Sequence, residues 1–178
     1  NSDYAELTIQ SNKETSDLIT MSKDIELIAS IIVNIQALLS EDTPKDYYMQ
    51  KVESGSILVS IYTATPLIVA IATTINYCAN IYYKHRSNHI DLKMKEFKLE
   101  LLKEYKEKGI ALALDGDNGQ TLEQLDRVIA ATDKYLNSNP SGKLNNVEYN
   151  TQTQTNLLTD RILQSMPNNE SETPTNND

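Results

Sequence analysis

The sequence predicts a mainly helical α+β protein: long amphipathic helices packed as a bundle or an extended coiled coil, with one or two short strands. Three observations carry that expectation. Leu18, Met21, Ile25, Ile28, Ile32, Ile35 and Leu39 repeat with a 3,4 spacing, which places all of them on one stripe of a helix. No glycine or proline interrupts the chain between Leu67 and Gly109. A second 3,4 repeat follows at Leu122, Leu125, Ile129, Thr132 and Leu136.

Residues 1–14 show no such pattern and are expected as a flexible N-terminal arm ahead of a helical core over 15–136. The first helix carries the Leu18 to Leu39 stripe, widened by Ile31 and Leu38. It ends at Asp42-Thr43-Pro44, because the residue before proline is pushed out of the helical region. Ile57, Val59 and Ile61 then alternate with Ser56, Leu58, Ser60 and Tyr62, a period of two that reads as a strand over 56–62 entered through a turn at Gly55. Thr65-Pro66 matches a helix N-cap followed by proline at the first helical position. The helix that starts there has one stripe through Ile68, Ile71, Ile75, Cys78 and Tyr82 and a second through Ile90, Met94, Phe97, Leu101 and Tyr105. It is either a single rod of about 60 Å or two helices broken near Ser87-Asn88.

The turn Asp115-Gly116-Asp117-Asn118-Gly119 precedes Thr121 and Gln124, which match a capping box for the third helix. Of the 42 residues from Asn137 to Asp178, ten are Asn, so this segment buries too little apolar surface to offset its ordering entropy. It is expected to be disordered at least from residue 167. A short edge strand over 144–149 and a helix over 155–166 are the elements it offers.

With 16 basic and 25 acidic side chains the net charge is −9, which argues against nucleic-acid binding, since phosphate recognition needs a positive surface. One cysteine rules out an internal disulfide framework. No Ser, His and carboxylate set orders into a catalytic geometry, no cofactor signature is present, and the chain is read as non-enzymatic.

Two constellations have the spacing of metal sites. His85 and His89 stand four residues apart on a helix but lack a third ligand. Asp115, Asp117 and Asp126 fall at the first, third and twelfth positions of a calcium-loop template, yet Gly119 is one residue early for the sharp turn. Solvent-facing histidines and a plain turn are the preferred readings.

From Ser54 to Tyr83 there is no Asp, Glu, Lys, Arg or His, and Leu58, Ile61, Leu67, Ile68, Ile71 and Ile75 would form the core of a membrane segment. The β alternation, the Thr65-Pro66 cap and polar Thr73, Thr74, Asn76 and Asn80 favour a buried strand followed by a buried helix. The expected function is accordingly a structural or interaction subunit that acts through helix packing in an oligomeric assembly, such as a phage or cell-surface component. Its seam is Leu18, Met21, Ile25, Ile28, Ile32, Ile35 and Leu39, and its partner is a second copy or another helical protein; the residues fix no localisation, the cytoplasm or a virion applying to a soluble chain and a membrane to the alternative. A membrane-anchored or membrane-inserting protein is the alternative. No motif places the chain in a named family.

Overall fold

Leu7, Ile9 and Ser11 alternate with Glu6, Thr8 and Gln10 in a strand, β1 (Tyr4–Thr15), where the sequence suggests a flexible arm. The computed structural model describes residues 3–15, 17–53, 55–82, 94–113 and 118–151. Four further strands are β2 (Tyr47–Glu53), β3 (Gly55–Ala64), β4 (Ser141–Leu144) and β5 (Val147–Asn150). They form one sheet in the order β2-β3-β1-β4-β5, with every pair antiparallel. The expectation of a helical bundle or coiled coil with one or two strands is therefore corrected, and the supposed arm is the central strand.

The strand signal is muted for identifiable reasons. In β1 only Leu7 and Ile9 supply apolar bulk on the buried face, and Ser11 takes the third place. In β2, Tyr47, Met49 and Val52 lie opposite Thr63, Ile61 and Val59, and an irregularity between Met49 and Lys51 breaks the period of two. The hairpin β4–β5 has only four residues per strand. Its Asn145 adopts φ 53°, a left-handed conformation that asparagine tolerates in a two-residue loop. Asn145 also exchanges bonds with Thr8, its Oδ1 accepting the Thr8 N–H at 2.9 Å and its own N–H donating to the Thr8 carbonyl at 2.8 Å. Part of the asparagine-rich segment is thus pinned to the sheet. Residues from 152 onward, with the expected 155–166 helix and the tail from 167, lie outside the described residues.

The helices pack on one face of the sheet. α1 (Leu18–Gln36) is capped by Asp17, whose carboxylate accepts from the Thr20 N–H at 3.0 Å. The Thr20 hydroxyl and amide hold that carboxyl below its ordinary value. α2 (Thr65–Tyr77) begins directly after β3. Thr65 is not its cap: Ala64 holds that position, while the Thr65 amide and hydroxyl both donate to the Asp3 carbonyl at 2.9 Å. That contact ties the start of α2 to the start of β1.

α2 runs into a π turn, Cys78–Tyr82, and α3 (Met94–Glu107) lies beside it instead of prolonging it. The Thr74 and Tyr105 hydroxyls are 2.5 Å apart and the Tyr77 and Phe97 ring centroids 4.9 Å apart. In one continuous rod Thr74 and Tyr105 would be separated by about 47 Å. Ser87-Asn88 falls outside the described residues. α3 ends at Gly109, φ 73°, with Gly109 N–H to the Lys106 carbonyl and Ile110 N–H to the Tyr105 carbonyl, both at 3.0 Å, the bond pair of a left-handed helix stop.

α4 (Asn118–Ser138) starts ahead of the expected capping box. Thr121 is buried within it, and Gln124 Nε2 donates to the Asn34 carbonyl at 3.0 Å, joining α4 to α1.

Leu7, Ile9, Ile57, Val59 and Ile61 from the sheet share one core with Ile28, Ile32, Ile71, Leu101 and Leu125 from the helices. Four ionisable groups sit in this core as neutral species. Burial pushes up the Cys78 thiol and the Tyr105 and Tyr135 phenols, and raises Tyr149 to about 12. A folded-state pKa above the unfolded one gives stability that is complete below the unfolded pKa, 9.0 for the thiol and 10.0 for the phenols, and is lost as pH rises. Melting temperature is therefore expected to fall steeply above pH 10, with each such group adding about 1.4 kcal/mol per pH unit to the decline. Tyr149→Phe should lose less between pH 10 and 12 than the parent chain; equal losses would mean that Tyr149 is solvated.

Candidate functional site

The stripe expected as an intermolecular seam is spent inside the chain. Ile28, Ile32, Ile35 and Leu39 are buried in its own core, Met21 and Ile25 pack against that core, and Leu18 alone is 70% exposed. The supposed membrane segment is consumed in the same way, since Ile61, Leu67, Ile68, Ile71 and Ile75 are all buried and Leu58 stands on the opposite face of β3. Among the described residues no helix is long and apolar enough to cross a membrane. The uncharged run divides into strand β3 and helix α2, the reading preferred from the sequence, and the transmembrane alternative is corrected: a strand and a helix buried back to back leave the same uncharged run.

His85, His89, Asp115 and Asp117 lie outside the described residues. Asp126 is on α4, in an ion pair with Lys98 at 2.8 Å. α4 already covers Gly119 to Asp126, a stretch that a calcium loop would need to be open. Among the described residues no group of three or more His, Cys, Asp or Glu is placed to hold a metal ion. The buried Cys78, with its thiol pushed up, has no nucleophilic character.

The surface that the sequence does not announce is the other side of the sheet. No described element covers it, and Glu6, Tyr48, Tyr62, Lys143 and Glu148 are exposed there. At one corner, aromatic surface collects on three adjacent strands. Tyr48 of β2 stands directly opposite Tyr62 of β3, and the Tyr62 ring lies 5.6 Å from that of Tyr4 on β1. Tyr48 is 59% exposed and Tyr62 is 37% exposed. Cross-strand aromatic pairs stabilise a sheet, which explains why the corner holds its shape without a covering helix.

Asp46, just ahead of β2, organises the corner. Its carboxylate accepts the Tyr4 hydroxyl at 3.0 Å and lies close enough to Tyr48 to act on its phenol. The carboxylate raises the pKa of both phenols. The Asp46 charge is thereby held beside the Tyr4 and Tyr48 phenols. Glu6 adds a second carboxylate across from Tyr62, and the Ser60 hydroxyl donates to it. Ring faces flanked by carboxylates attract cations, and a guanidinium suits both, stacking on a ring while it donates to the carboxylate.

β2 is also an edge strand. It pairs with β3 on one side, and no described strand pairs with the other, so a row of backbone donors and acceptors is presented next to the tyrosine corner. A sequence signal for the corner existed in Tyr47-Tyr48 followed by Met49, but only the register shows which of these side chains faces outward. Comparison with protein-family models, with curated proteins and with solved structures finds no match to this chain.

Proposed function

We propose that the protein is a non-enzymatic interaction module that captures an extended, positively charged segment of a partner protein along β2. The observation that carries this reading is the coincidence of an unpaired edge with Tyr4, Tyr48, Tyr62 and Asp46 beside it. Strand addition supplies affinity through main-chain bonds, and side chains on one face of the added strand supply selectivity. Here the selecting face is aromatic and acidic, in a chain whose net charge is −9. An arginine on the incoming strand meets both a ring face and a carboxylate.

The test is a titration of the isotopically labelled chain with a peptide of alternating valine and arginine, followed by amide shifts. Shifts confined to 46–53, Tyr62 and Tyr4 are expected. Tyr48→Ala and Asp46→Asn should each weaken binding by about tenfold, in line with a cation–π or charge contact of about 1–2 kcal/mol. The same peptide with glutamate for arginine should not bind. Equal binding of both peptides, or shifts elsewhere, would refute the proposal.

A further inference from the structure

α1 and α4 lie antiparallel: Asn34 meets Gln124 near one end, and Asp24 meets Asn139 near the other. Along the outer side of this pair runs a groove of about 430 Å³ whose lining includes Lys13, Lys23, Asp24, Ser30, Lys134 and Ser138. Its floor is a polar network. Asp24, 2% exposed, accepts the Asn139 side-chain N–H at 3.2 Å on Oδ1 and faces the Lys13 ammonium at 2.7 Å on Oδ2. Asn139 Oδ1 in turn accepts the Ser11 hydroxyl at 2.6 Å. The charge of Lys13 is thus engaged by Asp24, and removing Lys13 would leave the buried Asp24 carboxylate without its cation.

Lys23 and Lys134 stand differently. Neither has a carboxylate oxygen within ion-pair distance among the described residues; Lys23 acts on Asp17 only through space, and Glu26 also lines the groove. With the two helices antiparallel in that register, Lys23 lies beside Ser138, and Lys134 lies beside Leu27 and Ser30. The two lysines are then offset by roughly one turn, about 6 Å along the axis, a span their side chains close easily. Ser30 Oγ already accepts from Asn34 Nδ2 at 3.5 Å, which leaves its proton free to donate.

We propose that this groove binds a small phosphoanion, with Lys23 and Lys134 clamping the phosphate oxygens and Ser30 and Ser138 donating hydroxyl bonds to them. Beyond the neutral Lys13–Asp24 pair, Lys23 and Lys134 outnumber Glu26, so the lining keeps a positive balance that favours an anion, and the volume lies in the range of small-molecule sites. A nucleic-acid strand is disfavoured, because a chain of net charge −9 repels a long polyanion beyond the groove. The site is remote in sequence from β2 and stands independently of the function proposed for that strand.

Calorimetric titration of the intact chain with inorganic pyrophosphate at low ionic strength tests the assignment. One site is expected, with Lys23→Gln and Lys134→Gln each weakening binding at least tenfold while the circular dichroism spectrum and melting temperature stay unchanged. Lys45→Gln, which removes a lysine outside the groove, should leave binding intact. No binding, equal loss in Lys45→Gln, or equally tight binding of succinate would overturn the proposal.

Discussion

Ile32→Asp is expected to unfold the chain, not to split an assembly into folded smaller species. Ile32 is 1% exposed and packs in one core with Ile28, Ile31 and Ile35 of α1 and with residues of α4 and the sheet. The substitution removes about 2 kcal/mol of apolar burial and leaves an unpaired carboxylate where no described cation reaches, at several kcal/mol more. Against a total stability of about 5–15 kcal/mol for a domain of this size, that loss is large. Far-UV circular dichroism and urea titration should show loss of the cooperative transition at room temperature. A variant that remains folded with a changed oligomeric state would return the stripe to an intermolecular role.

Gly142→Ala should be the most damaging single-methyl change in the sheet. A Cβ there would run into the Gln10 carbonyl oxygen of β1 and meet the Tyr149 hydroxyl at 2.9 Å and ring carbon Cε1 at 3.0 Å. The ring can shift a little; the carbonyl cannot, because Gln10 is paired with Leu58 on one side and Lys143 on the other. The hairpin β4–β5 must then part from β1, exposing Leu144 and Tyr149, at a cost of about 2–4 kcal/mol. Gly55→Ala is the control, since nothing lies within 4 Å of its Cβ position and only its φ of +109° is strained. Its expected cost is nearer to about 1 kcal/mol. Urea midpoints that rank the two variants in the reverse order would show that the hairpin is not docked on β1 as described.

These two variants also mark what could be read from the residues. The 3,4 stripes of α1 and α4 and the alternation Ile57-Val59-Ile61 were legible because each element repeats its burial period several times. The partners of those elements were not. A stripe records that one face is buried, and Ile28 and Ile32 carry no mark of whether the covering surface belongs to the same chain. β1 hides because its inner face ends in a serine that bonds Asn139 instead of packing, and β2 hides because its irregularity shifts Val52 out of step with Met49. Asn145-Asn146 reads as low complexity until the positive φ of Asn145 identifies a tight turn. The candidate surface was missed for a related reason. Tyr4, Tyr48 and Tyr62 lie far apart in sequence, and only the pairing order of β2, β3 and β1 brings them to one corner.

Residue-resolved amide hydrogen exchange, run on the free chain and with the valine–arginine peptide, tests most directly the claim that an open edge stands beside a sheet centred on β1. Leu7 and Ile9 should exchange as slowly as Leu58 and Ser60 in β3, part of β2 should exchange quickly when free, and β2 should slow when the peptide is added. Fast exchange throughout 4–15, or a β2 that the peptide leaves unprotected, would contradict it.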